Sequence, residues 1–345
     1  WGPWRKTFLS SSGRPIDGRT RDRGDGFVGG ALLLRLAELE GWQPIAAVRT
    51  LPSTEPILSN SACIGKAVRY VELGDVENGA FDPCVFNGVD AVVHCAARVH
   101  VMNESDVDPL SAFRAVNVVG TLNLAKQAAS VGVKRFVFIS TIKVNGEATV
   151  SGEPFHADDL PAPEDAYGLS KLEAEQGLKL LAAETGIEVV IIRPPLVYGS
   201  GVKGNFGSLI KLVEKEVPLP FGAIHNKRSL VGIDNLVDLI VRCIDHPAAA
   251  NQIFLAGDGQ DLSTPELIRG LAMAMGKRAR LIPLPAGVLK FAATLLGKRA
   301  LAHRLLGSLQ VDITKTRELL EWQPRHSVED GLRRCFVTSS QGGRV

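Results

Sequence analysis

Cysteine is scarce and unpaired. The 345 residues hold five, Cys63, Cys84, Cys95, Cys243 and Cys335. An odd, scattered set offers neither a disulfide framework nor metal-ligand spacing, and it points to a reducing compartment, the cytoplasm. Charge of one sign is missing too. Against 37 Asp and Glu stand 39 Lys and Arg, a formal net charge of +2, so bulk electrostatics gives no reason to expect a nucleic acid or an acidic membrane. The N-terminus lacks an apolar core of signal-peptide length. The most apolar late stretch, Leu281 to Gly297, is broken by Pro283, Pro285 and Lys290 and is short for a membrane span. An amphipathic helix packed on the protein is expected there, with peripheral membrane contact the lesser alternative. No internal repeat is visible.

What is present is alternation. Short apolar runs rich in Val, Ile and Phe fall at 44–49, 68–73, 90–97, 135–141 and 187–194; they alternate little in polarity, as strands buried on both faces do. Helical patterns, each with a Gly near its end, lie between them at 29–41, 109–132 and 164–186. Strand–helix alternation predicts an α/β protein, a Rossmann-like doubly wound parallel sheet that binds ligands outside the carboxyl ends of its strands. Beyond about residue 195 the pattern loosens into Gly- and Pro-rich loops and shorter helices, which predicts a smaller lobe closing over that edge. The expected division is an atypical segment 1–25, a dinucleotide-binding domain 26–194, a mainly substrate-binding lobe 195–335 and a tail 336–345.

The start of the chain is discordant. Gly26, Phe27 and Val28 open a helix, and Gly26 with Gly29 fit the last two glycines of a phosphate-binding G-x-x-G-x-x-G turn. The first glycine should stand at Arg23, and the strand before it should occupy about 17–22, which reads DGRTRD. Those charges would have no partners in a central strand. A one-nucleotide shift of reading frame, with permitted codons for Arg21 to Asp25, converts the segment to Val-Thr-Gly-Ala-Thr and restores both strand and glycine. On that reading residues 1–25 are out of frame, and the chain as written lacks its first strand, binds cofactor weakly and is poorly stable. The alternative is a divergent but genuine N-terminus.

About twenty residues on, Arg49 stands where an acidic residue would accept from the hydroxyls of an adenosine ribose; an Arg suits a 2′-phosphate, which tilts the cofactor from NAD to NADP, although a solvated loop Arg is nearly as good a reading. Asp75 could accept from the adenine amino group or cap a helix. Ala96 and Ala97 give clearance at a strand end, or simply fill core. Tyr167 and Lys171, four apart on one helical face, are the strongest catalytic signal. A phenol titrates near 10, and a neighbouring ammonium and a nicotinamide's positive charge would lower it toward neutrality. Ser140 and Thr141 end a buried strand upstream and could hold the substrate oxygen. The acidic loop Asp158, Asp159, Glu164 and Asp165 reads most simply as solvated.

Together GFVGG (26–30), GD (74–75), HCAA (94–97), NVVGTLNL (117–124), STIKVNG (140–146), YGLSK (167–171), RPPLVYG (193–199) and RSLVGIDNLVD (228–238) make the chain resemble an extended short-chain dehydrogenase/reductase of the NAD-dependent epimerase/dehydratase family. The resemblance covers about residues 26–335. It implies that Tyr167 is the acid/base, Lys171 its partner, and Thr141 rather than Ser140 the hydroxyl residue. It also implies that Val76 joins the cofactor site, that Pro194 to Val197 lie along the nicotinamide, and that Arg228 meets the diphosphate of a nucleotide-sugar, by expectation UDP-linked, the alternative being a surface Arg beside Lys227; Asn205 either joins that diphosphate contact or caps its helix. Asn145 replaces a usual Tyr. Ile142 and Lys143 stand where 4,6-dehydratases carry an Asp-Glu pair, so dehydration is disfavoured. Epimerisation and 4-keto reduction at sugar carbon four remain open, in surface-polysaccharide precursor synthesis, by an expected homodimer. A dehydrogenase of other substrates or a non-catalytic NADP sensor are the alternatives; the retention of both Tyr167 and Lys171 argues against the sensor.

Overall fold

In the computed structural model, residues 6–10, 26–50, 68–99 except 80, 108–202 except 151, 204–297 except 296, and 305–336 are described. The first half alternates as expected: β1 (Lys6–Ser10), α1 (Phe27–Glu38), β2 (Gln43–Val48), β3 (Arg69–Glu72), β4 (Ala91–His94), α2 (Pro109–Arg114), α3 (Thr121–Ser130), β5 (Arg135–Ile139), α4 (Ala166–Thr185) and β6 (Glu188–Arg193). There follow β7 (Leu196–Tyr198), α5 (Gly204–Glu214), β8 (Arg228–Gly232), α6 (Ile233–Asp245), β9 (Ile253–Leu255), β10 (Asp261–Leu262), α7 (Thr264–Ala274) and α8 (Ala286–Leu295), then short helices at Thr314–Leu320 and Val328–Arg334.

Seven strands form one sheet in the order β3-β2-β1-β4-β5-β6-β9, and all its pairings are parallel. The chain order reverses between β1 and β4, and that switch point is where an α/β sheet opens a crevice. Both faces are covered, so the central strands are largely apolar: β5 is buried at every position, RFVFI, and its one charged residue, Arg135, pairs with Glu188 at 2.6 Å. One face packs Leu32, Leu33 and Leu36 of α1 and Leu236 and Ile240 of α6 on Val93, Val137 and Ile192. The other packs Leu124 and Ala128 of α3 and Ala174 and Leu178 of α4 on Val92, Phe136 and Phe138. A second sheet, β10-β8-β7, belongs to the smaller lobe, whose core joins Tyr198, Phe206, Leu209, Leu271 and Leu332.

Three expectations change. The chain as written does not lack its first strand. Lys6–Ser10 takes the central place, Phe8 in register with Ile45 on one side and Val92 on the other. A short β-prone run, Thr7-Phe8-Leu9, satisfies two ladders that DGRTRD could not enter without burying charge. The segment 17–22 lies outside the described residues. Second, the 195–335 segment divides between the two bodies. Its α6 packs on α1 and its β9 pairs with β6, so both complete the dinucleotide domain. The third change concerns the apolar stretch near residue 290. It does form a helix, α8, but none of its side chains is buried.

Candidate active site

The site assembles at the carboxyl ends of β1, β4, β5 and β6. Asp165 N-caps α4, its carboxylate accepting from the Gly168 amide at 2.7 Å. Gly168 has no room for a side chain, since a Cβ there would stand 2.9 Å from the Lys143 carbonyl oxygen. The first turn of α4 is thereby pressed against the Thr141–Asn145 loop. Tyr167 and Lys171 follow on successive turns. The Tyr167 ring meets the buried Phe113 ring edge-on, with centroids 6.0 Å apart. Lys171 is buried; its ammonium donates to the Ile139 carbonyl at 2.7 Å and lies 3.9 Å from the Phe138 ring centroid.

These surroundings set the proton affinities. Burial pulls Lys171 down to about 7, against the opposing charges of Glu175 and Cys95. Burial, and then the Asp165 carboxylate, pushes Tyr167 up to about 12. At this phenol burial outweighs the neighbouring ammonium. A lysine whose charge is itself destabilised, and which is turned to a main-chain carbonyl, does not stabilise a phenolate.

Ser140 and Thr141 are separated by their partners. Ser140 is buried and donates to Glu175 Oε1 at 2.5 Å. Glu175 in turn pairs with Arg193 at 2.5 Å, and Arg193 donates to Asn145 Oδ1 at 2.9 Å. Thr141 is only half-buried and accepts a single long bond from the Lys143 amide, 3.3 Å. Asn145, where the resemblance expects a Tyr, is a buried strut between Arg193 and the His156 carbonyl. The acidic loop is not merely solvated, because each carboxylate has a use. Asp165, with Glu147 from outside the loop, holds Lys143, Glu164 accepts from the Glu147 amide at 3.4 Å, Asp158 pairs with Lys315 at 2.7 Å, and Asp159 accepts from the His156 amide at 2.6 Å.

One residue the motif reading did not single out is Asn117, fully buried in the π-helical turn Ala115–Gly120. Its amide bonds both the carbonyl and the N–H of Arg98 and also Ser170 Oγ, and Ser170 donates to the Tyr167 carbonyl. It thus fixes the β4 loop against the tyrosine's turn. Its signal was the Asn opening NVVG, and π-turns concentrate at functional sites.

The remaining candidates lie at a helix start, beyond strand ends and in the smaller lobe. α1 opens on Gly26 with no side-chain cap and no acid in its first turn, so its free amides suit a phosphate. Gly199, at the end of β7, has no room for a Cβ: Ile233 Cγ2 would be 2.4 Å away and the Phe27 ring 3.3 Å. That close approach brings RPPLVYG onto the glycine turn. Pro194 is buried and its carbonyl accepts from Ile142; Val197 lies in register with Val231. Ala96 is buried and Ala97 half-buried beyond β4. Arg49 pairs with Asp75 at 2.7 Å and approaches Glu77 at 3.7 Å. Asp75 occupies the N-cap position of the turn Val76–Asn78 without making a side-chain cap. In the smaller lobe, Arg228 is half-buried at the start of β8 and donates to the Gly307 carbonyl at 3.1 Å, and Asn205 is exposed in the first turn of α5. A separate cavity of about 200 Å³, lined by Tyr198, Gly199, Asp234, His326 and Arg334 among others, contains none of the candidate catalytic groups.

An uncapped helix start at the switch point, small residues beyond β4 and a buried Lys one turn from a Tyr fit a dinucleotide. Together they define a nucleotide-dependent enzyme of the doubly wound class. The chain belongs to the NAD dependent epimerase/dehydratase family, whose model matches residues 24–257. A UDP-glucose 4-epimerase of Vibrio cholerae is 54% identical over 263 residues, 76% of this chain and 80% of that one. Among solved structures, a UDP-glucuronic acid 4-epimerase from Bacillus cereus in complex with NAD superposes with a TM-score of 0.71 at 21% identity, covering 95% of this chain and 96% of the other. A UDP-glucose 4-epimerase from Thermotoga maritima with UDP-glucose gives 0.70 at 21% identity, over 96% and 97%. These last two likenesses speak for the fold.

Proposed function

We propose that the protein is an NAD-dependent 4-epimerase of a UDP-hexose, acting as a cytoplasmic homodimer in the synthesis of surface-polysaccharide precursors. The observation that carries this reading is the 54% identity to the Vibrio cholerae UDP-glucose 4-epimerase across 80% of its length. The Tyr167–Lys171 helix turn and the lack of an acidic pair after Thr141 are consistent with it.

In this reading Tyr167, as its phenolate, takes the proton of the sugar's 4-hydroxyl and, as the phenol so formed, later gives it back, while Thr141, the hydroxyl left free by Glu175, holds the same oxygen. Bound NAD supplies uptake and return of hydride, and in its oxidised form brings a positive charge. Lys171 would hold the cofactor ribose, and the positive charge of the oxidised cofactor beside it would lower the phenol from about 12. Gly26, Phe27 and Val28 cradle the pyrophosphate, Asp75 and Val76 the adenosine, Ala96, Ala97, Pro194 and Val197 the nicotinamide side, and Asn205 and Arg228 the UDP diphosphate. Arg49 favours NAD here, because Asp75 and Glu77 already neutralise it and would repel a 2′-phosphate.

The test is cofactor analysis of the purified protein incubated with UDP-glucose and UDP-galactose. Tightly held NAD and interconversion with no net consumption of added cofactor are expected. Stoichiometric NADPH consumption on a 4-keto sugar would establish the reductase instead.

A further inference from the structure

α8 is an apolar helix that the protein does not use. It exposes Val288 at 52%, Phe291 at 67% and Leu295 at 72%, and Ile282, just before it, at 47%. Val288, Phe291, Ala292 and Leu295 follow i, i+3, i+4, i+7, one continuous stripe. Soluble surfaces scatter such residues singly; a stripe of them marks a docking face. The helix is also held out deliberately. The Leu219 amide donates to the Arg280 carbonyl at 2.8 Å and Ile282 donates back to Leu219 at 2.9 Å. Gly222 approaches so closely that a Cβ would stand 3.0 Å from the backbone of Ile282 and Pro283. The arm is anchored at its base, and beyond it no side chain of α8 is buried.

Charge identifies the occupant. Residues 267–311 contain eight Lys or Arg and no Asp or Glu, in a chain whose net charge is only +2; everything outside this segment is net negative. Lys277, Arg278 and Arg280 are exposed before the helix and Lys290 within it. A second copy seated face to face would oppose two such segments of like sign. A nucleic acid would meet the charges but not the Val, Phe and Leu stripe. A bilayer rich in anionic phospholipid answers both. The 10 residues of α8 reach about 15 Å, half a hydrocarbon core, and no described helix is long and apolar enough to cross a membrane. The helix therefore lies in the interface rather than spanning it.

We propose that α8 and its basic flanks dock this protein on the surface of an anionic phospholipid membrane, with Val288, Phe291 and Leu295 entering the headgroup–acyl boundary. The test is co-sedimentation of the full chain with vesicles of phosphatidylcholine alone and with added phosphatidylglycerol. Binding is expected only with phosphatidylglycerol, weakening as salt rises. The exposed double substitution Phe291→Ser with Leu295→Ser should lower partitioning at least about tenfold, because it removes most of the stripe. It should leave thermal unfolding and sugar turnover in solution unchanged. Two results overturn the proposal. One is equal pelleting of wild type and double variant with phosphatidylglycerol vesicles. The other is no vesicle binding by a wild type that sediments as a dimer which the same substitutions dissociate, and that would make a second copy the occupant. Neither outcome bears on whether the enzyme epimerises a UDP-sugar.

Discussion

The two ends of the candidate cofactor edge hold their charges in opposite ways. At the adenosine end, Arg49 and Asp75 meet at 2.7 Å with side chains 58% and 46% exposed. At the catalytic end, Arg193 and Glu175 meet at 2.5 Å with 2% and 1% exposed. The exposed pair is screened and can change partners when a ligand arrives. The buried pair cannot, since Glu175 also receives Ser140 while Arg193 also reaches Asn145. On the proposed assignment, one end can open to an adenosine while the other keeps a tyrosine, a lysine and a threonine still.

The largest effect expected from this contrast is purely catalytic. Tyr167→Phe removes one transferable proton and leaves the ring against Phe113. Turnover of UDP-sugar should fall by about 10²–10⁴-fold, with an unchanged unfolding midpoint. A variant of near-normal turnover would strip the catalytic end of its assigned acid/base. Next in size is Glu175→Ala, which leaves the Arg193 guanidinium buried without its counter-charge and frees Ser140. Loss of one member of a buried pair costs about 3–5 kcal/mol, read from urea denaturation. A loss below about 1 kcal/mol would mean that the buried network is no stiffer than the exposed one.

How much of this was legible beforehand differs between the same two ends. The five strands at 44–194 and the Tyr167–Lys171 turn were readable because both-face burial leaves unbroken Val, Ile and Phe and because helical spacing fixes which residues share a face. The choice of Thr141 over Ser140 came from family pattern, and the geometry adds a reason, since Glu175 claims Ser140. What could not be read was long-range pairing. Nothing local in Asn145 or Arg193 announces a partner 48 positions away, and the acidic loop looked solvated because Lys143 and Lys315 are brought to it only by the fold. β1 is hidden for a related reason. A glycine turn points to the few residues before Gly26, whereas Lys6–Ser10 is chosen by the two strands that flank it, and residues 11–25 intervene. Whether residues 1–25 are out of frame is tested by resequencing the gene, where an uninterrupted read in the present frame would end the idea.

A third effect separates burial from chemistry at the catalytic end. Burial lowers Lys171 from 10.5 to about 7. Between those values the unfolded chain holds more protons than the folded one, so this residue makes stability rise with pH; its penalty is complete below about pH 7 and gone above about 10.5. Lys171→Met should therefore stabilise the cofactor-free protein most at pH 6, with the advantage shrinking toward pH 9 and beyond, as measured by urea midpoints at both values. The same variant should lose turnover. A pH-independent difference in stability would show that the ammonium is better solvated than its position over Phe138 implies.

The smallest effect tests the adenosine end. Arg49→Ala removes an exposed ion pair and should change stability by under about 1 kcal/mol. Its consequence lies in cofactor choice. With Asp75 and Glu77 holding Arg49, the edge presents two carboxylates and one guanidinium to the ribose, a net negative surround for a 2′-phosphate. The wild type is then expected to bind NAD more tightly than NADP in calorimetric titrations, and Arg49→Ala should leave NAD affinity within about threefold. Asp75→Asn with Glu77→Gln should narrow the preference by freeing Arg49 for the phosphate, and more so at low salt, because the interaction is exposed. A wild type that prefers NADP, with at least a tenfold loss of NADP affinity in Arg49→Ala, would reverse the assignment. The exposed pair would then be a latch that opens onto phosphate rather than a neutralised arginine.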